Sequence, residues 1–146
     1  MFEAMAGSWA GTYRLWLEPG KLRTECDSTL RGEPVGGGRF VRAAYDWTDT
    51  GGDGGAQSGE FLLACPAADR WEVSWVDTWH SGDGIFLCTG PPGAVTTTYG
   101  EPDQQWGWRT EFELPEPDQL VIRAYNITPS GEEALATEAD YRRAGK

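Results

Sequence analysis

The stretch Trp71-Glu72-Val73-Ser74-Trp75-Val76-Asp77-Thr78-Trp79 decides the fold. Its large apolar side chains fall on every second position, at Trp71, Val73, Trp75 and Trp79, and Asp77 is the one carboxylate in that series. Successive side chains of a β-strand leave opposite faces of the sheet, so period-two alternation marks a strand with one face withdrawn from water. That face carries three indoles and an acid. The stretch therefore predicts an aromatic-lined interior.

The same alternation, read outward along the chain, gives about ten strands: roughly 9–18, 21–31, 38–48, 58–65, 70–79, 84–89, 94–99, 106–114, 119–127 and 133–142. Between them stand short turn signals, among them Glu18-Pro19-Gly20, Pro34-Val35-Gly36-Gly37-Gly38, Pro66-Ala67-Ala68-Asp69, Ser81-Gly82-Asp83-Gly84 and Thr128-Pro129-Ser130-Gly131. Connections this short join antiparallel neighbours, which makes a meander. Only residues 2–6 suggest a helical turn, placed to plug one end. An open sheet of ten strands would expose two unpaired edges, whereas closure removes both, so the fold expected is all-β: a single closed antiparallel meander β-barrel. A two-sheet sandwich is the alternative. Residues 1–146 read as one domain, and a chain of this length buries roughly 68–70% of its unfolded surface.

The charge balance excludes two partner classes. Twelve basic and 23 acidic side chains give a formal net charge of -11, a field that repels nucleic-acid phosphates and anionic lipid headgroups. Neither nucleic acid nor membrane is an expected partner. No run reaches the ~18 apolar residues of a membrane helix, and Met1-Phe2-Glu3-Ala4-Met5-Ala6 has no basic and apolar leader, so a cytoplasmic location is expected. Cys26, Cys65 and Cys88 are odd in number and widely spaced, which reads as buried thiols.

Agreement among strands indicates which face is inside. Trp9, Gly11, Tyr13, Leu15 and Leu17 share one face of the first strand, Phe61, Leu63 and Cys65 one face of the fourth, and Trp106, Trp108, Thr110, Phe112 and Leu114 one face of the eighth. The second strand instead turns Leu22, Thr24, Cys26, Ser28 and Leu30 inward, and such small side chains predict vacant volume near the axis. The third strand is ambiguous: Phe40, Arg42 and Ala44 oppose Val41, Ala43, Tyr45 and Trp47.

Asp77 is the leading candidate for chemistry, because a carboxylate on an apolar face needs a partner. Arg42 and Arg123 are candidates for that role. Its functional role would be to orient a ligand or to act as general acid/base; its structural role would be an ion pair or hydrogen bonds to turn amides. His80 is the one histidine. Three residues beyond Asp77 on a regular strand it would leave the opposite face, so an Asp77–His80 pair would require a bulge, and the preferred reading is a solvated turn flank. One histidine and scattered thiols give no catalytic metal site. No Gly-x-Ser-x-Gly elbow is present, and Gly51–Gly55 lacks the Gly-Lys-Ser/Thr ending of a phosphate loop.

Gly7-Ser8-Trp9 on the first strand, Gly37-Gly38-Arg39-Phe40-Val41, Trp75-Val76-Asp77-Thr78-Trp79-His80-Ser81-Gly82 and Gly131-Glu132-Glu133 together resemble the bacterial family known as domain of unknown function 1579, over nearly the whole chain. The resemblance implies a lipocalin-like, calycin-type β-barrel without an established activity. Barrels of that shape include fatty-acid-binding and nitrobindin-like haem proteins.

The leading expectation is an intracellular barrel binding a small, largely apolar or aromatic ligand, with Tyr13, Trp71, Trp75, Trp79 and Trp108 as walls and Asp77 fixing orientation. No catalytic residue, cofactor or metal is assigned. Three rivals stand beside it: an enzyme using Asp77 as acid/base, a haem carrier using His80, and a homodimeric interaction module with a filled interior.

Overall fold

A computed structural model describes residues 2–52 and 54–145. A 3₁₀ turn, Phe2–Met5, precedes ten strands: β1 (Gly7–Glu18), β2 (Lys21–Val35), β3 (Phe40–Asp49), β4 (Gly55–Ala67), β5 (Arg70–Asp77), β6 (Phe86–Gly90), β7 (Ala94–Glu101), β8 (Gln104–Glu116), β9 (Gln119–Ile127) and β10 (Glu133–Arg143). Each pairs antiparallel with its sequence neighbours, and β1 pairs with β10 to close the barrel. The ten-strand meander expected from alternation is the observed fold.

Short turns produce this order. Gly20, Gly36, Gly37 and Gly38 adopt positive φ, the region where a side chain is strained, at the hairpins that reverse β1 into β2 and β2 into β3. Closure also depends on Gly11. A Cβ there would lie 1.9 Å from the Asp140 carbonyl oxygen, so only glycine lets β1 and β10 approach.

The barrel has two unlike ends. At one, Phe2 meets Trp71 edge-on at 5.5 Å, and the Trp9 indole N–H donates to the Met5 carbonyl at 2.9 Å. Arg143 caps that plug from outside, stacking on Trp9 and donating to the Ala4 and Ala6 carbonyls. The other end is the mouth, ringed by the turns after β1, β3, β5, β7 and β9.

Parity is settled strand by strand. Val41, Ala43, Tyr45 and Trp47 form the buried face of β3, so Arg42 points outward and pairs with Glu33 and Glu60. Arg123 pairs with Glu113 and Glu138. Neither arginine meets Asp77. Cys65 is exposed rather than buried, since β4 loses its register with β5 between Ala64 and Ala67. Leu17 and Leu22 are exposed at the rim.

The small inner face of β2 has a different use from the one expected. Main-chain pairing of β2 with β3 stops at Thr29 and Asp46. Beyond that point side chains bridge the strands: Ser28 Oγ donates to the Asp46 carbonyl at 2.6 Å, the Thr48 N–H donates to Cys26 Sγ at 3.3 Å, and the Thr50 N–H donates to Thr24 Oγ1 at 3.0 Å. Short polar side chains fit here because they must reach the neighbouring backbone. They fill a widened seam instead of leaving a hollow.

The seam between β6 and β7 is the weakest, with one paired position, Thr89 with Thr96.

Candidate functional site

β5 ends at Asp77, two residues earlier than alternation suggested, and residues 78–85 turn across the mouth. The turn is built on the Asp77 carboxylate. Its Oδ1 accepts the backbone N–H groups of Trp79 (3.2 Å), His80 (2.5 Å) and Ser81 (2.8 Å), the pattern by which an aspartate nucleates a turn in its own chain. Its Oδ2 lies 2.6 Å from His80 Nδ1. Ser81 Oγ completes the knot by accepting the Asp77 N–H at 2.6 Å.

The expected separation of Asp77 and His80 is therefore overturned. Opposite faces follow from a continuing strand, but the chain leaves the strand at Asp77 and folds His80 back over it. The imidazole packs inward, 5.6 Å from the Trp75 ring and 5.0 Å from the Trp108 ring. It is mostly buried, with 18% of its side chain exposed, whereas the Asp77 side chain is fully buried.

Burial pushes the Asp77 carboxyl up, yet His80 and the amides of His80 and Ser81 outweigh it and hold the group below the usual carboxylate range. The carboxylate form of Asp77 is thus favoured, and an acceptor at Oδ2 favours the proton on Nδ1. Nε2 is left as the ring nitrogen without a protein partner among the described residues.

The middle of the barrel is packed with rings. Tyr45 stacks on Phe61 at 5.5 Å, Phe61 on Trp75 at 6.1 Å, and Trp75 on Trp108 at 5.4 Å with the planes 13° apart. The Trp75 indole donates to Tyr45 Oη at 3.0 Å. What remains among Tyr13, Tyr45, Phe61, Trp75, Trp108 and Tyr141 is about 20 Å³ open to the centre of a water molecule, enough for a water and little more.

Ligand-sized space lies at the mouth. A cleft of about 340 Å³, on the same measure, runs from the end of β1 to the starts of β8 and β10, within the range of small-molecule sites. Trp16, Trp79, Trp106 and Trp108, half of the eight tryptophans, line it together with His80 and Tyr99. Tyr99 is held by Asn126, whose side-chain carbonyl accepts its hydroxyl. Trp79 is held between Trp47, edge-on at 5.6 Å, and the Arg23 guanidinium, 5.2 Å from its ring. Arg23 in turn grips Asp49 through two bonds of 3.0 and 2.9 Å and holds that carboxyl down at about 2. The indole N–H groups of Trp47 and Trp108 are buried without acceptors among the described residues.

The sequence-derived site residues thus separate by depth. Trp79 lines the mouth, Tyr13 and Trp75 line the small interior space, and Trp108 lines both. Asp77 sits behind His80. Trp71 lies at the plugged end against Phe2 and Phe112 and lines neither space. Trp16, Tyr99, Trp106 and Asn126 were not among the expected residues, and of these only Trp106 was hinted at, by its period-two placement beside Trp108; His80 was expected in the haem-carrier reading alone.

The fold and site define an up-and-down β-barrel with one plugged end and one aromatic mouth. The chain belongs to the family of proteins of unknown function DUF1579, which it matches over residues 1–143. An S-type phycobiliprotein lyase, CPES, from Guillardia theta has a similar structure at TM-score 0.58 and 12% identity, with 99% of this chain and 91% of that chain covered. A redesigned β-barrel is similar at TM-score 0.52 and 13% identity (97% and 93% covered), and a de novo designed fluorescence-activating β-barrel at 0.50 and 14% (95% and 93%). These likenesses show the fold. Comparison with curated proteins found no match. Among the described residues no helix is long and apolar enough to cross a membrane.

Proposed function

We propose that the protein binds a small, flat aromatic or conjugated molecule in the mouth cleft, with His80 as its polar anchor. The carrying observation is the placement of an oriented imidazole in a cleft walled by four indoles. Indole faces favour a flat partner, and His80, with Glu18, Asn126 and Thr128 on the same lining, supplies the polar contacts that fix its orientation. The barrel fold shared with a phycobiliprotein lyase and a fluorescence-activating design supports ligand binding. Three free cysteines, one exposed, fit a reducing, cytoplasmic setting.

The test is a titration with anionic 1-anilinonaphthalene-8-sulfonate and with a neutral naphthalene dye, followed by tryptophan quenching. Saturable one-to-one binding is expected, lost in Ala134→Trp, which fills the cleft. Absence of saturable binding, or equal binding by the filled variant, rejects the proposal.

A second reading, haem carriage, is favoured by the same imidazole, since a carboxylate on one ring nitrogen commonly orients a metal-binding histidine. A Soret band on adding hemin, absent in His80→Ala, is the outcome that would favour it.

A further inference from the structure

We infer that His80 is a general base, held in its basic tautomer by Asp77, and that the mouth cleft carries out proton abstraction from a flat conjugated substrate bearing an acidic C–H. The inference rests on the binding reading and extends it to a reaction. Three observations support it. First, the Asp77 carboxylate accepts three backbone N–H groups on Oδ1, so its oxygens are fixed in place before any ligand arrives. Second, Oδ2 lies 2.6 Å from Nδ1, a carboxylate acceptor that favours the proton on that nitrogen and, in the neutral ring, the lone pair on Nε2. Third, the imidazole lines the cleft packed against Trp75 and Trp108, so that a flat substrate seated on the indoles would displace the water at that lone pair.

An anchor uses only the orientation that Asp77 imposes; a base draws on the carboxylate further, because it both selects the reactive nitrogen and stabilises the imidazolium that forms when it accepts a proton. His80 is the catalytic residue in this arrangement, and Asp77 is a positioning residue.

A probe reaction reads the base directly. In 5-nitrobenzisoxazole, Nε2 removes the proton from C3, the C–H electron pair becomes the third bond of a nitrile, and the N–O bond breaks with its pair going to oxygen. The products are 2-cyano-4-nitrophenolate and imidazolium, and the imidazolium returns its proton to solvent. No oxidant or co-reactant is consumed.

The full chain is assayed for release of the coloured phenolate, with 1-anilinonaphthalene-8-sulfonate binding measured on the same samples. His80→Ala is expected to lower kcat by about 100-fold, with dye binding weakened by loss of the anchor but still saturable on the indole walls. His80→Gln supplies the same comparison should the alanine variant lose its fold. Asp77→Asn keeps an acceptor for the three amides but offers an N–H to Nδ1, which moves the proton to Nε2; kcat should fall at least tenfold with KM unchanged. Wild-type turnover equal to that of the His80 variants, with dye still bound, overturns the base and leaves the binding reading standing. Failure of the dye to bind at all removes both. Unchanged kcat in a folded Asp77→Asn variant contradicts the role given to Asp77.

Discussion

Asp77 carries two roles on one carboxylate: Oδ1 shapes the turn and Oδ2 aims His80. Removing it should therefore cost stability as well as orientation. Asp77→Ala leaves three backbone N–H groups without their acceptor, and a loss of roughly 3 kcal/mol in urea denaturation is expected. Asp77→Asn, which retains the Oδ1 acceptor, should cost roughly 1 kcal/mol. The pH dependence has a definite sign. The Asp77 and Asp49 carboxyls both titrate lower in the folded chain than in the unfolded one, Asp49 at about 2, so the folded state binds fewer protons. Their contribution is present above the unfolded carboxyl value, near 4, and is lost as pH falls through the folded values. Urea midpoints should drop between about pH 4 and pH 2, and Asp49→Asn should flatten that slope. A slope unchanged by the substitution would show that other carboxylates carry it.

Among the elements, the two seams adjoining β3 and β7 differ in kind. The β2–β3 seam is widened but bridged by Ser28, Cys26 and Thr24, whereas the β6–β7 seam is paired at one position and carries one long bridge, Thr96 Oγ1 donating to the Thr89 carbonyl at 3.4 Å. Local opening follows backbone pairing, so amides of β6 and of the β6-facing side of β7 should exchange with deuterium faster than those of β9 and β10. Equal protection around the barrel would contradict the seam. Strand number and order were legible because Gly- and Pro-rich turns punctuate clean alternation from Trp9 to Tyr141. The inner face of β3 was not, because both of its faces carry apolar residues. The use of the β2 side chains was hidden too: Thr24, Cys26 and Ser28 look alike whether they leave space or reach across to a neighbour. At Asp77 the pattern itself misled, since Trp79 continues the alternation after the strand has ended.

Across the whole molecule, alternation reports which way a side chain points but not how far along the barrel axis it sits. Trp71 and Trp75 share a face of β5, yet one packs on the plug and the other supports the floor beneath the mouth. Trp16, Trp106 and His80 meet because closure brings β1, β8 and the turn after β5 to one rim, a proximity that strand-by-strand reading does not show. The central claim is that this rim presents Nε2 of a tautomer fixed by Asp77. Because the chain has a single histidine, its imidazole nitrogens give an unambiguous nitrogen-15 spectrum. The measurement is that spectrum at pH 8, with and without 1-anilinonaphthalene-8-sulfonate. The expected result is a protonated Nδ1, an unprotonated Nε2, and an Nε2 signal that moves on dye binding. A protonated Nε2, or an Nε2 signal indifferent to bound dye, would contradict it.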